Sequence, residues 1–299
     1  MTETDFNIDW LAERYRFDVA ARSKAVEQAC FQHFRQYDRL RIVDIGAGTG
    51  SNFLYLSPKF PQHQEWTFVE LNTALLKAAL DRIQRYAKLQ GWSFDRNGNT
   101  MQFSTGKQQV SIKSKHGSFL ELRELVTLGN VDLVTANAVF DLLSLKLFEQ
   151  FWRQLIKYKL PLLATINYLG MAFAPQGERD DFFIKKYEAH MQREQRFGQS
   201  MGPDCVQQMQ TVFKKQGVDY FSGNSTWQIG QQDTKMHQFL LQYLEEAVTE
   251  LLTSPEESAS FAAWLANKKT LLAAQELELT VFHQDLFVAP EYEAATNTN

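Results

Sequence analysis

The feature that most constrains this chain is a glycine turn directly after a short apolar run. Residues 42–45 read Ile-Val-Asp-Ile, and glycines then follow at every second position, as Gly46, Gly48 and Gly50. Such a run, stopped by closely spaced glycines, is typical of a buried strand that ends in a tight turn. Because glycine has no side chain and tolerates a positive φ, a ligand can lie against the bare backbone. The pattern predicts a parallel strand, a ligand-binding turn and then a helix that begins near Asn52.

The spacing of the glycines distinguishes between kinds of nucleotide site. A dinucleotide-binding turn reads Gly-x-Gly-x-x-Gly, whereas this chain has Gly-x-Gly-x-Gly with Asp44 inside the strand. A phosphate-binding loop would need a lysine after its last glycine, and Gly50 is followed by Ser51. A purely structural turn of another α/β protein is the alternative, so the turn needs partners further along the chain.

Two such partners follow. A second strand is predicted over 64–69 and ends at Glu70, about twenty residues after the glycines, where a carboxylate can accept both hydrogen bonds of a ribose diol. The other account of Glu70 is a solvated acid before the helix predicted over 72–89. A later strand is predicted over 131–138, and a loop that carries Asp141 leads from it to a helix over 146–157.

In order and spacing, these features resemble the class I S-adenosylmethionine-dependent methyltransferases. The motifs are the acidic strand with its glycine turn, the acidic end of the second strand and the strand over 131–138. Two further stretches, Trp10 to Ser23 and Phe197 to Pro203, resemble a little-characterised bacterial group of that family. The resemblance implies S-adenosylmethionine as cofactor and a sheet of seven strands whose final strand inserts antiparallel. It implies nothing about the methyl acceptor.

The resemblance also assigns cofactor-binding residues to the ends of the strands. They are Asp44, Gly46, Ala47, Gly48, Gly50, Asn52, Glu70, Leu71, Ser118, Phe119, Asn137 and Ala138. The family commonly has an acidic residue where this chain has Gly117-Ser118-Phe119, so recognition of adenine would rest on the Ser118 hydroxyl or on the main chain. Phe119 has a second account as a plain core aromatic.

Strand and helix patterns alternate through the middle of the chain, which predicts an α/β fold with a doubly wound, Rossmann-like parallel sheet. Two helices precede the turn, and we expect one domain over 1–290, with an N-terminal helical cover over 1–38, a helical lid insertion over 169–203 and a disordered tail over 291–299. Further predicted strands cover 93–96 with 100–105 as a hairpin, 109–113, 160–167, 218–222 and 277–286, the last with an alternation that suits an edge. Further predicted helices cover 204–215, 236–252 and 255–274.

Composition narrows the class of protein. The formal net charge is −4 and the isoelectric point is about 5.9, so no general attraction to nucleic acid or to an anionic membrane is expected. Cys30 and Cys205 lie far apart and offer neither a metal-binding spacing nor a disulfide framework, so no metal site is predicted. No apolar run approaches about 18 residues, and the acidic N-terminus lacks the pattern of a signal peptide. These features predict a cytoplasmic enzyme.

Substrate recognition is expected in two stretches outside the minimal fold. In the first, Arg14, Asp18 and Arg22 recur every four residues. They form either a solvated ion-pair ladder or a site in which Arg14 or Arg22 binds a carboxylate of the cofactor or of an acidic substrate. The second is the segment over 169–203, which we expect to close over the site because insertions of this length are usually functional. Its candidates are His190 and Arg193, and Tyr168 precedes it directly.

The chemistry that the resemblance implies is direct in-line displacement, in which alignment and desolvation carry much of the catalysis. A base is needed only when the acceptor atom carries a proton, and Asp141 and His190 are the candidates. Asp141 has other accounts as a helix N-cap or a cofactor contact. For His190 the other account is an ordinary surface or half-buried histidine.

The acceptor is expected to be a small molecule. The sequence Asn137-Ala138-Val139-Phe140 lacks the Asn/Asp-Pro-Pro-Tyr/Phe signature of nucleobase amine methyltransferases, and no cysteine lies there for covalent pyrimidine chemistry. Three alternatives stay open. They are a protein or RNA methyltransferase with an open groove near Lys107, Lys113 and Lys115, a cofactor-binding protein without transferase activity, and a nicotinamide-dependent dehydrogenase, against which the glycine spacing speaks.

Overall fold

The structure, a computed structural model, describes residues 8–60, 63–104, 106, 108–195 and 197–290. The predicted tail over 291–299 and Lys107 lie outside these ranges. The helices are α1 (Ile8–Ala21), α2 (Lys24–Phe34), α3 (Ser51–Leu56), α4 (Thr73–Leu89), α5 (Leu122–Leu125), α6 (Leu145–Lys157), α7 (Asp180–Met191), α8 (Cys205–Lys215), α9 (Thr234–Thr249) and α10 (Pro255–Ala273). The strands are β1 (Arg39–Ile45), β2 (His63–Glu70), β3 (Ser93–Asn97), β4 (Thr100–Ser104), β5 (Gln109–His116), β6 (Leu133–Asn137), β7 (Leu162–Ala174), β8 (Glu194–Gln195), β9 (Gly198–Gln199), β10 (Tyr220–Asn224), β11 (Trp227–Ile229) and β12 (Glu278–Val288).

A single mixed sheet forms the centre of the fold. Its parallel strands lie in the order β5-β2-β1-β6-β7. The chain leaves β1 toward β2 on one side and returns to β6 on the other, so the strand order reverses at β1. In such a sheet the ligand site lies in the crevice at the carboxyl ends of the two strands at this reversal. The predicted doubly wound parallel sheet is confirmed.

The last strand, β12, lies inside the sheet. It runs antiparallel between β7 and β10, as the resemblance implies, and the sheet has ten strands among the described residues where seven were predicted. The β3–β4 hairpin extends the sheet beyond β5, as predicted, and β11 pairs with the far end of β12. The expectation that the last strand is an edge is wrong, because β12 has partners on both sides. Its pairing with β7 shifts register between Phe282 and His283 and between Gln284 and Leu286.

The segment over 169–203 is not mainly helical, and this part of the prediction is wrong. Strand β7 continues to Ala174 because its second half pairs with β12, with Met171 opposite Val281 and Phe173 opposite Leu279. Helix α7 and the small β8–β9 hairpin follow. A segment with the sequence pattern of a loop is therefore an extended strand, one helix and a hairpin.

Helices cover both faces of the sheet. Helices α2, α3 and α4 pack on one face around Phe53 and Trp66, and α6 and α8 pack on the other around Phe148 and Trp152. A third apolar cluster joins α1, α7, α9 and α10 to the extended half of β7. Within the described ranges, no helix is long and apolar enough to cross a membrane.

Two buried carboxylates, one on α7 and one on β12, hold neighbouring elements together. The Asp180 carboxylate on α7 lies 2.7 Å from Lys268 Nζ on α10 and accepts a hydrogen bond from Trp264 Nε1, also at 2.7 Å. On β12, the Asp285 carboxylate accepts from the backbone N–H of Ile166 at 2.7 Å and from that of Ser23 at 2.9 Å. The last strand thereby holds both β7 and the start of α2.

Candidate functional site

The glycine turn closes over the carboxyl end of β1. Gly46, Gly48 and Gly50 all have positive φ values, of 60°, 52° and 75°. A Cβ atom on Gly46 would meet Val139 Cγ2 at 2.7 Å, and one on Gly48 would lie 3.7 Å from Leu11 Cδ1. The turn is thus packed between the loop after β6 and helix α1. A side chain at Gly46 would both strain the backbone and clash.

Glu70, the last residue of β2, lies next to this turn. Its Oε2 atom accepts from the Gly48 N–H at 3.0 Å, and its Oε1 atom accepts from the Asn72 N–H at 3.0 Å. The residue is half-buried. The carboxylate therefore lies at the turn, where a polar acceptor can reach a ligand, and it also orders the start of α4.

A buried polar chain runs beneath the turn. Arg22 Nη2 donates to Asn52 Oδ1 at 2.7 Å, and Asn52 Nδ2 donates to Asp44 Oδ1 at 2.8 Å and to Thr135 Oγ1 at 2.9 Å. Asp44 is 1% exposed and Arg22 is 3% exposed. Burial raises the pKa of Asp44 to about 7, although the hydrogen bond from Asn52 and the charge of Arg22 oppose the rise.

Both ends of this chain carry atoms that lack a partner among the described residues. They are Asp44 Oδ2, Arg22 Nε and Arg22 Nη1, all buried. A buried carboxylate oxygen without a donor suits an ammonium group, and unpaired guanidinium N–H groups suit a carboxylate. Linked through Asn52 beneath the glycine turn, the two groups offer the charges that the zwitterionic end of an amino acid needs. The structure thus brings Arg22 to the cofactor side of the predicted site.

A second polar group links α1 to the ends of β6 and β7. Asn137 Nδ2 donates to Asp18 Oδ2 at 2.9 Å, and Thr165 Oγ1 donates to Asn137 Oδ1 at 3.0 Å. Arg14 Nη2 donates to Asp18 Oδ1 at 3.3 Å. Asp18 is 2% exposed. Asp18 is therefore buried and Arg14 is largely covered at the strand ends, so the solvated ion-pair ladder is excluded for this pair.

Asp141 lies beside this group, in a 3-10 turn after β6. It is buried, and its Oδ1 atom has no hydrogen-bond partner among the described residues. Burial raises the pKa of Asp141 to about 6, and the positive charge of Arg14 opposes the rise. The N-cap of α6 is Ser144, whose hydroxyl accepts from the Leu147 N–H, so the helix-cap account of Asp141 is wrong.

Five aromatic side chains surround Arg14 and Asp141, and we call them the aromatic cluster: Trp10, Tyr168, Tyr187, Trp227 and Tyr243. The Tyr168 and Tyr187 rings lie 6.5 Å apart, and the Trp10 ring lies 5.2 Å from that of Tyr243. Burial raises the pKa of Tyr187, and the negative charge of Asp141 adds to that rise. Tyr168, a predicted substrate residue, thus belongs to the same cluster as Asp141.

The structure places two other predicted residues elsewhere. His190 Nε2 lies 3.2 Å from Glu250 at the end of α9, and Arg193 pairs with the same carboxylate. Burial lowers the pKa of His190. Both side chains thus take part in the contact between α7 and α9, and within the described ranges no hydrogen bond joins them to Asp141 or to the glycine turn.

The predicted adenine contacts are mainly structural. The Ser118 hydroxyl accepts from the Leu120 N–H at 3.2 Å and caps a short 3-10 turn. Phe119 is 6% exposed and packs against Phe151, with ring centroids 5.9 Å apart. The account of Phe119 as a core aromatic is therefore the one that the structure supports.

The remaining predicted cofactor residues lie at the strand ends. Ala47 is buried in the turn, Leu71 is half-buried directly after β2, and Ala138 follows β6 with a positive φ of 55°. Lys113 and Lys115 are exposed on one face of β5. Among the described residues, no group of three or more His, Cys, Asp or Glu side chains is placed to hold a metal ion.

Sequence reasoning missed Thr135, Trp227, Tyr243 and His283. Thr135 lies within a plain apolar strand, and the other three come from β11, α9 and β12. Their positions share no motif and lie far from Arg14 in sequence, so no local signal identifies them.

Comparison with known proteins relates this chain to others by fold. No family model and no curated protein matches it. The YcgJ protein from Bacillus subtilis is 12% identical, with a TM-score of 0.50 over 90% of this chain and 100% of that one. Phosphoethanolamine N-methyltransferase 2 of Haemonchus contortus with S-adenosyl-L-methionine is 14% identical, with a TM-score of 0.44, and the match spans 97% of this chain but 59% of that one.

The cyclopropane synthase MmaA2 from Mycobacterium tuberculosis is 10% identical, with a TM-score of 0.43 over 96% of this chain and 87% of that one. At these identities the similarity shows a shared fold alone. TM-scores below 0.5 carry no argument about this chain.

Proposed function

We propose that this chain, which has the fold of the class I S-adenosylmethionine-dependent methyltransferases, transfers a methyl group from S-adenosylmethionine to a small molecule. The observation that carries the proposal is the group of buried atoms without partners beside the glycine turn: Asp44 Oδ2 together with Arg22 Nε and Nη1. A site that left them unfilled would pay the desolvation of a buried acceptor and two buried donors. The methionine end of the cofactor supplies an ammonium and a carboxylate.

In this proposal different residues of the site bind different parts of the cofactor. Asp44 and Arg22 hold the amino-acid end, and Glu70 exchanges its hydrogen bond from Gly48 for the hydroxyl groups of the ribose. Ala47, Leu71 and Ala138 line the site through their backbone, and Asn137 closes it toward α1. When bound, the cofactor would supply a methyl group on a positively charged sulfur.

The acceptor side is proposed to be the aromatic cluster with Arg14 and Asp141. Asp141 is buried, has an oxygen without a partner and has a pKa of about 6, so it is ionised at neutral pH and can take a proton from an acceptor hydroxyl. His190 is the weaker candidate for a base because its Nε2 atom is paired with Glu250. The aromatic rings exclude water and hold the acceptor in line, which is where most of the rate would come from.

Burial favours a small acceptor over a macromolecule. Arg14 and Asp141 are 11% or less exposed, so a nucleic acid or protein chain would have to displace α1 or α7 to reach them. Among the described residues, the exposed Lys113 and Lys115 favour the macromolecular alternative.

Calorimetry with S-adenosylmethionine, S-adenosylhomocysteine and NAD tests the cofactor. We expect heat of binding with the first two and none with NAD. In Glu70→Ala the affinity for S-adenosylhomocysteine should fall by roughly 1.5–3 kcal/mol, the usual value of a hydrogen bond to a charged group. Glu149→Ala, an exposed acid on α6, is the matched control and should bind like the wild type. Tight binding of NAD alone would overturn the proposal.

A further inference from the structure

Three buried nitrogen atoms around Arg14 have no hydrogen-bond partner among the described residues. They are Arg14 Nε, Trp227 Nε1 and a ring nitrogen of His283, Nδ1. Arg14 Nε lies 3.3 Å from Asp18 Oδ2, but the direction is not that of a hydrogen bond. Trp227 and His283 are 3% and 4% exposed. A buried polar atom without a hydrogen-bond partner lowers the stability of the fold, and a bound ligand can supply that partner.

These groups lie close together. The Arg14 guanidinium lies 5.2 Å from the centroid of the Trp227 ring, and the His283 ring lies 4.7 Å from the same ring. Burial lowers the pKa of His283 to about 3, and the charge of Arg14 contributes to the fall. His283 is therefore neutral and carries a single N–H, for which the backbone of Val281 and Ser225 offers acceptors, so the site combines the positive charge of Arg14 with one neutral donor, Trp227 Nε1. Such a set suits an oxyanion.

Asp18 does not saturate this positive charge. The same carboxylate accepts hydrogen bonds from Asn137 Nδ2 at 2.9 Å and from Arg14 Nη2 at 3.3 Å. The latter is a long hydrogen bond for a charged pair. Asn137 still pairs with Asp18 when a second anion binds to Arg14, so Arg14 can bind the carboxylate of a ligand as well.

The surroundings select the shape of the ligand. The Arg14 guanidinium lies over the Trp10 and Trp227 rings, and the Tyr168 ring lies 6.1 Å from His283 and 6.5 Å from Tyr187. Aromatic side chains prefer stacked or edge-on contacts with other flat rings. Asp141, which influences the pKa of both Tyr168 and Tyr187, offers its unpaired Oδ1 among the same rings.

We propose that the methyl acceptor is a hydroxylated arene that carries a carboxylate, with the carboxylate on Arg14 and Trp227 and the hydroxyl on Asp141. This inference rests on the proposed function. In the reaction the hydroxyl oxygen forms a bond to the methyl carbon while its proton passes to Asp141. The carbon–sulfur bond breaks, its electron pair stays on sulfur, and the products are a methyl ether and neutral S-adenosylhomocysteine.

The test compares matched acids and amides. The probes are 3- and 4-hydroxybenzoate and the corresponding hydroxybenzamides, titrated calorimetrically into protein saturated with S-adenosylhomocysteine. Each acid should bind at least about tenfold more tightly than its amide, because a charge-assisted hydrogen bond replaces a neutral one. Arg14→Met should abolish this preference. Trp227→Phe keeps the ring but removes the N–H, so it should reduce the preference to a few-fold while the protein stays folded. Arg153→Met, on the exposed face of α6, should keep the full preference.

The outcomes separate this inference from the proposed function. If S-adenosylhomocysteine binds but the amides bind as well as the acids, the acceptor class is wrong and the methyltransferase proposal stands. A preference for the cationic probe tyramine over both acids would equally overturn the inference, since Arg14 repels a positive charge. If S-adenosylhomocysteine itself does not bind, both proposals fall.

Discussion

At the scale of single residues, the proposed cofactor site depends on an acid that the fold keeps partly protonated. Asp44 lies inside a buried strand, and its pKa of about 7 reflects that burial. An ammonium group beside Asp44 Oδ2 would favour the ionised carboxyl. Ligand binding should therefore release a proton wherever the free protein holds one, that is, below about pH 7.

We predict that the affinity for S-adenosylhomocysteine falls as the pH is lowered below about 7, approaching tenfold for each pH unit. Calorimetry between pH 5.5 and 7.5 measures it, and the range stops there because the α-amino group of the ligand loses its own proton near pH 8. In Asp44→Asn the affinity should be lower and nearly independent of pH over the same range. A wild-type affinity that is flat across this interval would contradict the assignment.

Asp141 should reduce the stability of the fold at neutral pH. Its pKa is raised from 3.8 to about 6, so the folded state holds the proton more tightly than the unfolded state does. The stability that comes from this tighter binding is present below about pH 4 and is lost as the pH rises toward 6. Asn resembles the protonated acid at every pH.

We therefore expect Asp141→Asn to unfold like the wild type at pH 4 and to be more stable at pH 7.5, by up to roughly 3 kcal/mol. Denaturant titrations of both proteins at the two pH values measure the difference. A variant that is equally or less stable at pH 7.5 would show that Asp141 is paired in the folded state. A more stable variant would measure the stability that the wild type loses because it keeps an ionised base in a site without water.

Local patterns reveal some site residues and hide others. The glycines, Asp44 and Glu70 lie in one strand–turn–strand unit, so their spacing in the sequence is enough to identify them. His190 has the right residue type and an appropriate helical spacing, yet the structure places it against Glu250. A periodicity gives the face of a helix but not the neighbour that the face meets.

At the scale of helices and strands, α1 is the element that joins both halves of the site. Leu11 covers the glycine turn, Trp10 lies in the aromatic cluster, and Asp18 binds Asn137 at the end of β6. At its outer face, Arg16 Nη1 donates to Asp233 Oδ1 at 2.6 Å. Helix α1 therefore packs against both the glycine turn and the aromatic cluster.

We predict that S-adenosylhomocysteine slows the exchange of the backbone amides of α1, because a ligand between the helix and the turn adds contacts that must break before the helix opens. Hydrogen–deuterium exchange with mass spectrometry measures the effect. Helix α10 packs away from the turn and is the internal control, with unchanged exchange. Equal protection of both helices would indicate a general gain in stability, and no protection of α1 would contradict its role as the cover.

Helix α7 is held to α10 by the buried pair of Asp180 and Lys268. The side chains are 2% and 1% exposed, so removal of one partner leaves a buried charge alone. We predict that Lys268→Met or Asp180→Asn alone lowers the free energy of unfolding by about 3–5 kcal/mol. The double variant should recover a large part of the loss, since neither charge then remains. Denaturant titration of all four proteins measures the coupling, and additive losses would contradict it.

Most elements could be predicted from the sequence because each carries its own signal. Asn72 caps α4, and Ser254 with Pro255 begins α10, both visible as start signals. The errors have a common cause in pairing that is not local. The second half of β7 contains Gly170 and resembles a loop until β12 pairs with it, and the three residues of β11 are too few for a strand pattern.

At the scale of the whole molecule, the two halves of the site differ in how the chain builds them. The cofactor side comes mainly from residues 44–70, which are contiguous. The acceptor side joins Arg14, Asp141, Tyr187 and His283, which lie on four separate segments and meet only in the complete fold. For this reason the resemblance to a family and its cofactor could be predicted from the sequence, whereas the chemistry around Arg14 could not.

The interior position of β12 has a consequence for synthesis. A ribosome makes β7 and β10 before the strand that lies between them, at about 5–20 residues per second. Until β12 emerges, the nascent sheet has an open edge at β7, Ser23 and Ile166 lack Asp285, and the aromatic cluster lacks His283. Exposed strand edges are where newly made chains pair with the wrong partner. Strand β12 emerges after all the other described strands, so it is the one that covers this edge and completes the proposed acceptor site.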